Sequence, residues 1–492
     1  MPQKNNYKKL EKDLKFEKQN CWDVWDEKTK NNAFKFCENY KRFLDSAKTE
    51  REAVKEGIKI VEKNGFVNIE ELSKGAHHPL TPSSERRGTL AQQNFLKSGK
   101  KVYAVNRDKN LILAVIGKKF LDDGFKLIMS HIDSPRLDLK VNPLYEDEQL
   151  AYFKTHYYGG IKKYHWPTIP LALHGVAVLE NGKKVEFTIG EKEDDPIFMI
   201  TDLLPHLAKA QAKKPLSEAI QGEELNILVG SIPVKDKDIK DKVKLAVLTY
   251  LNKQYGIKEE DFFSAEIQAV PSGKSKDLGF DRSLISGYGQ DDRVCAFSSM
   301  QAILESKPTD KTQICFLTDK EEIGSEGNTG AQSIFLENFI INLLDICGKK
   351  NDIGSLYTIF AHSEALSSDV TAGLDPDYKE VHDLRNCARL GCGLAFEKYN
   401  GHRGKSCSSE ASAEYVAKLR NILNKNKVIW QTAELGKVDE GGGGTIAMYL
   451  AKRNMEVIDA GVALFNMHAP LEIASKADIY SAYLGYLAFF GS

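Results

Sequence analysis

No apolar run in the chain approaches the roughly 18 residues that a membrane-spanning helix needs, so a membrane span is not expected. The basic N-terminus, Met1–Lys9, leads into more charge without an apolar core, which argues against a secretory leader. Paired cysteines are missing as well. Eight cysteines are scattered from Cys21 to Cys407 without a CxxC spacing, several of them inside apolar runs, a pattern of free buried thiols in a reducing compartment. Charge of one sign is lacking too: 68 Lys and Arg against 69 Asp and Glu leave a net charge of -1, with no general attraction to nucleic acid or an anionic membrane. The glycine run Gly441–Gly444 stands at a helix start and could cradle an anion, but it lacks the Lys-Ser/Thr ending of a P-loop, so nucleotide binding is not expected. A soluble cytoplasmic protein without nucleic-acid or membrane partners is the expectation. At 492 residues the chain is too long for one simple core, so two domains are expected.

What the chain does have is an acidic turn at the end of a buried strand. The apolar run Ile314–Leu317 ends directly in Thr318-Asp319-Lys320-Glu321-Glu322-Ile323-Gly324-Ser325. Adjacent carboxylates repel each other, and they make chemical sense here if a cation sits between them and a substrate. Neighbouring residues point in different directions, so one glutamate can bind metal while the other holds an attacking water.

Other segments share this plan. Residues 1–48 read as Lys/Glu-rich peripheral helices with aromatic anchors, and Thr49 with Glu52 forms a capping box for the helix that follows. Lys101–Val105 and Leu111–Ile116 read as a hairpin. The strand Phe125–Ser130 delivers His131 at its carboxyl end, with Asp133 two residues on, as a ligating imidazole needs for its other nitrogen. Asp291 precedes an apolar helix, Asp369 follows a strand expected at Leu356–Ala361, and His468 follows a strand at Val462–Met467. Between them, residues 141–281 change texture. A hairpin around Asn181-Gly182 and alternating strands mark a separate β-rich unit inserted in the chain, and its four histidines, His156, His165, His174 and His206, have no ligand spacing. Two histidines and three carboxylates at strand ends and helix starts suit two zinc or similar divalent ions.

These residues resemble a known family. Ser130-His131-Ile132-Asp133-Ser134-Pro135, Asp291-Asp292-Arg293, Glu321-Glu322-Ile323-Gly324-Ser325, Ser368-Asp369 and Met467-His468-Ala469-Pro470 are similar, in order, to the metal-site motifs of aspartyl aminopeptidases and aminopeptidase I, dinuclear zinc exopeptidases. The resemblance implies an α/β fold: a mixed-sheet zinc-exopeptidase catalytic domain formed by residues 1–140 and 282–492, with an inserted β-rich oligomerisation domain at 141–281. It implies that Asp291 bridges two Zn2+ ions (Co2+ or Mn2+ as substitutes), that His131 and Asp369 complete one site, and that Glu322 and His468 complete the other. It assigns Glu321 as general base and Asp133 as the residue that orients His131. A homo-dodecamer acting on peptides with a free N-terminus is implied too. For the substrate side chain, Lys398 matches a lysine before the corresponding helix of the family, and the segment Pro205-His206-Leu207-Ala208 is family-like. A histidine that aspartyl-specific members carry a few residues further on is replaced by Lys209-Ala210-Gln211, which leaves both acidic and neutral, leucine-type substrates open. The competing readings are a deacylase or carboxypeptidase of similar fold, which would bind a free carboxylate, and a non-catalytic assembly.

Overall fold

The computed structural model describes residues 4–74, 96–406 and 408–492. Its centre is a nine-stranded mixed sheet in the order Val67–Asn68, Lys101–Asn106, Asn110–Val115, Thr312–Thr318, Phe125–His131, Glu364–Ser367, Glu456–Gly461, Leu394–Glu397, Trp430–Thr432. Every residue of Phe125–His131 and Thr312–Thr318 is buried, which explains why both read as continuous apolar runs instead of alternating ones. Alternate side chains feed two cores. Ile128, Cys315 and Leu317 pack with the helices Gln290–Glu305 and Lys476–Gly491, while Leu127, Met129, Ile314 and Phe316 pack with Phe335–Ile346, Ile353–Ala361 and Ala447–Lys452.

The central strands Phe125–His131, Thr312–Thr318, Glu364–Ser367 and Glu456–Gly461 run parallel, with Thr318 in register with His131 and Ser367 with Met129. Their carboxyl ends therefore lie at one edge, where α/β sheets gather ligand-binding groups. A seven-stranded antiparallel sheet holds Arg136–Asp147, Leu150–Tyr158, Leu171–Val178, Lys184–Ile189, Met199–Ile200, Ile227–Gly230 and Ala265–Pro271, over its own apolar core. His174 on this sheet lies between Glu52 (2.8 Å) and Glu191 (3.1 Å), tying it to the helix Glu50–Lys63 as a structural residue. A five-stranded sheet contains Leu284–Gly287, Ala463–Phe465 and Glu472–Ser475.

The capping box at Thr49 and Glu52 is present. The aromatic residues of the N-terminal segment dock on the body of the same chain: Phe36 packs on Phe297, Tyr480 and Tyr483, and Trp25 on Tyr480. The seven described cysteines are free and, apart from half-buried Cys347, buried; Cys407 lies outside the described residues. The strand expected at Leu356–Ala361 is a helix, Ile353–Ala361, and the strand before Asp369 is Glu364–Ser367. Asp352 caps that helix by accepting from Ser355 N, and Leu356, Ile359 and Phe360 are its buried face. A short apolar window carries composition but too little period to separate the two.

Candidate active site

Each candidate residue sits where an element ends. His131 is the last residue of its strand; Glu321 and Glu322 begin the 3-10 turn Glu321–Ile323 just beyond the neighbouring strand. Asp369 follows Glu364–Ser367, His468 follows Ala463–Phe465, and Asp291 lies at the kinked start of Gln290–Glu305. The parallel register brings His131, Glu321, Glu322 and Asp369 to one edge, where the five-stranded sheet delivers Asp291 and His468. His131 Nε2 lies 3.1 Å from Asp291 Oδ1 and 3.6 Å from Asp369 Oδ1. On the other oxygen of the same carboxylate, His468 Nε2 lies 3.3 Å from Asp291 Oδ2, and 3.4 Å from Glu322 Oε2. Asp133 carries the back of the cluster: its Oδ1 is 3.3 Å from His131 Nδ1, and its two oxygens accept the backbone N–H groups of Glu321 and Glu322.

The electrostatics are those of crowded acids. Burial, reinforced by Asp369, pushes the Glu321 carboxyl up to about 8. Burial and Asp291 raise Glu322 well above the carboxylate range, and burial and Asp369 do the same to Asp292. Burial opposes charge on the two imidazoles, yet Asp133, Asp291 and Asp369 raise His131 well above its usual value, and Asp291 with Glu322 takes His468 up to about 11. Asp291 goes the other way: His131 and His468 overcome its burial and hold it below the usual range.

The donor set fits divalent ions. Ligand atoms of His131, Asp291 and Glu322, and of His131, Asp292 and Asp369, each come within 4.8 Å of one another. Among the described residues Glu322 Oε1 and Asp292 Oδ1 are buried without a hydrogen-bond partner, a costly arrangement that a cation would relieve. Imidazole nitrogen plus carboxylate oxygen is the ligand chemistry of zinc.

Lys398 and His206 are not drawn into this cluster. Both are exposed, and among the described residues no hydrogen bond or salt bridge links either side chain to the cluster. Three contributors escaped the sequence reading. Asp292, given no role of its own within the Asp291-Asp292-Arg293 motif, is fully buried, with Oδ2 3.4 Å from the His131 backbone nitrogen. Glu472 accepts the backbone N–H groups of Asp291 and His468; its place four residues after His468 was the available signal. Tyr158, which donates to Asp133, had no local signal at all.

Raised acids give a pH dependence with a definite sign. Burial pushes Glu397 and Glu472 up to about 8 and Asp459 and Asp478 up to about 7, alongside Glu321. From roughly pH 4.5 to 8 the folded chain holds more protons than the unfolded one, so stability falls as pH rises through this window. His468 adds the same sign above its unfolded value, whereas the depressed carboxyls Asp291 and Glu50 act only at lower pH. Chelator-treated protein is expected to melt at a higher temperature at about pH 5.5 than at about pH 8, with added zinc raising the melting temperature more at the higher pH, where fewer protons compete for the ligands. A melting temperature that rises with pH in the chelator-treated protein would contradict this charge arrangement.

Comparison with known proteins identifies the family. The family described as aminopeptidase I zinc metalloprotease (M18) matches residues 43–490. A probable M18 family aminopeptidase 1 of Clostridium acetobutylicum is 53% identical over 477 residues, spanning 97% of this chain and 99% of that one. The crystal structure of an M18 aminopeptidase from Thermotoga maritima superposes with a TM-score of 0.89 at 44% identity, over 97% of this chain and 100% of that one. The fold extends to the S. cerevisiae mApe1 dodecamer, with a TM-score of 0.71 at 20% identity over 94% of this chain and 97% of that one. The chain thus belongs to the M18 family of aminopeptidase I zinc metalloproteases and is a zinc metalloexopeptidase, a hydrolase of peptides.

Proposed function

We propose that the chain removes the N-terminal residue from peptides with a free amino terminus, with two divalent ions held in one cluster. The observation that carries this reading is Asp291, whose two oxygens face two different imidazoles, His131 at 3.1 Å and His468 at 3.3 Å. Asp291 would be shared, His131 and Asp369 would complete one site, and Glu322 and His468 the other. Zinc is the first choice, with Co2+ or Mn2+ as substitutes. Bound there, the ions would lower the pKa of a water and polarise the scissile carbonyl.

The remaining work falls to the chain. Glu321 is the general base: its carboxylate makes no hydrogen bond or salt bridge among the described residues, and it takes the attacking water's proton and passes it to the leaving amine. Asp133 orients the His131 ring and, through two backbone N–H groups, fixes the turn that presents Glu321 and Glu322. The surplus of carboxylates attracts the substrate's positively charged α-amine, which confines cleavage to the first residue.

Side-chain preference is acidic or neutral. Lys398, at the exposed start of the loop after Leu394–Glu397, is the cation available for an Asp or Glu side chain, and exposed His206 is a second substrate contact in this reading. We read 141–281 as an inserted oligomerisation domain between the two parts of the catalytic domain, 1–140 and 282–492. The likeness to a yeast dodecamer supports a homo-dodecamer, and composition supports a cytoplasmic location. The test is kcat/KM of the metal-loaded protein on Asp-, Glu- and Leu-arylamides, beside N-acetyl-Leu-arylamide. Cleavage of the free-amine substrates alone is expected. Preference for Asp and Glu would make Lys398 the anchor, and preference for Leu would return it to the surface. Equal release of arylamine from the acetylated substrate would overturn the requirement for a free amino terminus, and release of acetate from N-acetyl-leucine, which carries a free carboxylate, would favour a deacylase.

A further inference from the structure

The strand Leu150–Tyr158 belongs to the seven-stranded sheet, yet its end reaches the cluster built on the nine- and five-stranded ones. Tyr158 Oη donates to Asp133 Oδ2 at 2.8 Å. That oxygen also accepts Glu322 N–H at 3.2 Å, while Oδ1 accepts Glu321 N–H at 3.1 Å and lies 3.3 Å from His131 Nδ1, which the Asp133 backbone carbonyl also meets at 3.0 Å. Two residues after Tyr158, the Gly160 carbonyl accepts from His468 Nδ1 at 2.7 Å. The outer nitrogens of both imidazoles are thus governed from one corner, His131 through Asp133 and His468 directly.

The corner is itself held in place. The Arg136 guanidinium lies 3.7 Å over the Tyr158 ring and is fixed in turn by Asp138 at 2.8 Å and Glu50 at 3.6 Å. Glycine relieves strain at the next position, and the one after has little room for a side chain. Gly159 has φ +74°, and a Cβ there would lie 3.3 Å from Glu322 Oε2, while a Cβ on Gly160 would lie 3.3 Å from His468 Nδ1. Nothing bulkier fits between this corner and the cluster without moving one of them.

We propose that Tyr158-Gly159-Gly160 is a positioning element for the reaction, by which the seven-stranded sheet completes a site otherwise built on the nine- and five-stranded ones. The inference rests on the assignment of His131 and His468 as ligands and Glu321 as base. Asp133 takes its angle from Tyr158 and passes it to the His131 ring and to the Glu321–Glu322 turn; the Gly160 carbonyl sets the His468 tautomer, with the proton on Nδ1 and Nε2 left to bind. Displacing the sheet would therefore weaken both halves of the site together. Asp133 and the Gly160 carbonyl are each one bond removed from a metal ligand, a kind of partner worth about 10- to 100-fold in metal affinity or activity, and Tyr158 acts through Asp133.

Tyr158→Phe tests this, because it removes only the hydroxyl and keeps the ring under Arg136. The expected result is a kcat about 10- to 100-fold lower with KM changed by less than about 3-fold, and faster release of zinc to a chromogenic chelator. Gly160→Ala provides a second variant, expected to release zinc faster by crowding the His468 ring. Wild-type kcat and wild-type zinc release in Tyr158→Phe would leave the tyrosine a packing role and overturn the proposal. Glu321→Gln is assayed beside them. If it is inactive while both corner variants behave as wild type, this inference alone falls; if it turns over normally, the assignment beneath it falls.

Discussion

Glu321→Gln is expected to keep its metal and to lose turnover by about 10²- to 10⁴-fold, the usual worth of a positioned general base. The substitution preserves the shape of the side chain and removes its ability to take a proton. Glu321 N–H still bonds Asp133, so the turn stays in place. Glu322, on the same turn, points to His468 at 3.4 Å and keeps its role on the metal side. Loss of kcat with unchanged zinc content, measured by steady-state kinetics and elemental analysis, is therefore the signature expected. Full activity in this variant would remove the base from the mechanism.

Asp291→Ala is expected to be more severe, because the metal goes with the activity. Asp291 is buried, with one oxygen on each imidazole, and among the described residues no other carboxylate forms an ion pair with both. Its backbone is held independently, N–H to Glu472 and carbonyl to Ser134, so the turn persists while the shared ligand is deleted. Zinc content should fall in both halves of the cluster, and zinc should no longer raise the melting temperature. In the wild type, ligand at about 100 times its dissociation constant stabilises the fold by about 2.7 kcal/mol. Asp291→Ala protein that still holds two zinc ions would show that the shared carboxylate is not a ligand. Taken together, the two variants separate proton transfer from metal retention.

The residues gathered in the cluster were visible in the sequence because most of them stand beside an apolar run. His131 ends the apolar Phe125–Ser130, Glu321 follows Ile314–Leu317, and Asp291 precedes an apolar helix. Such runs announce buried elements, and polar residues at their ends announce an edge of the sheet. What stayed hidden is what depends on contacts between distant segments. The Gly160 carbonyl meets His468 across 308 positions, and Tyr158 belongs to a stretch whose pattern fits the seven-stranded sheet alone. Asp292 was masked by its neighbour, since an acid at a helix start is ordinarily a cap. The Leu356–Ala361 helix was misread because its apolar run was too short to display a 3.6-residue repeat. Lys398 and His206 carry resemblance without contact: the fold leaves both exposed, and their part in specificity rests on the substrate panel.

The most direct measurement of the central claim is a zinc titration of chelator-treated protein, followed by Leu- or Asp-arylamide hydrolysis and by bound metal per chain. The shared Asp291 predicts that full activity returns only as binding reaches two zinc ions per chain. Full activity at one ion per chain, with a second never bound, would contradict the two-metal account and leave a single-ion aminopeptidase in its place.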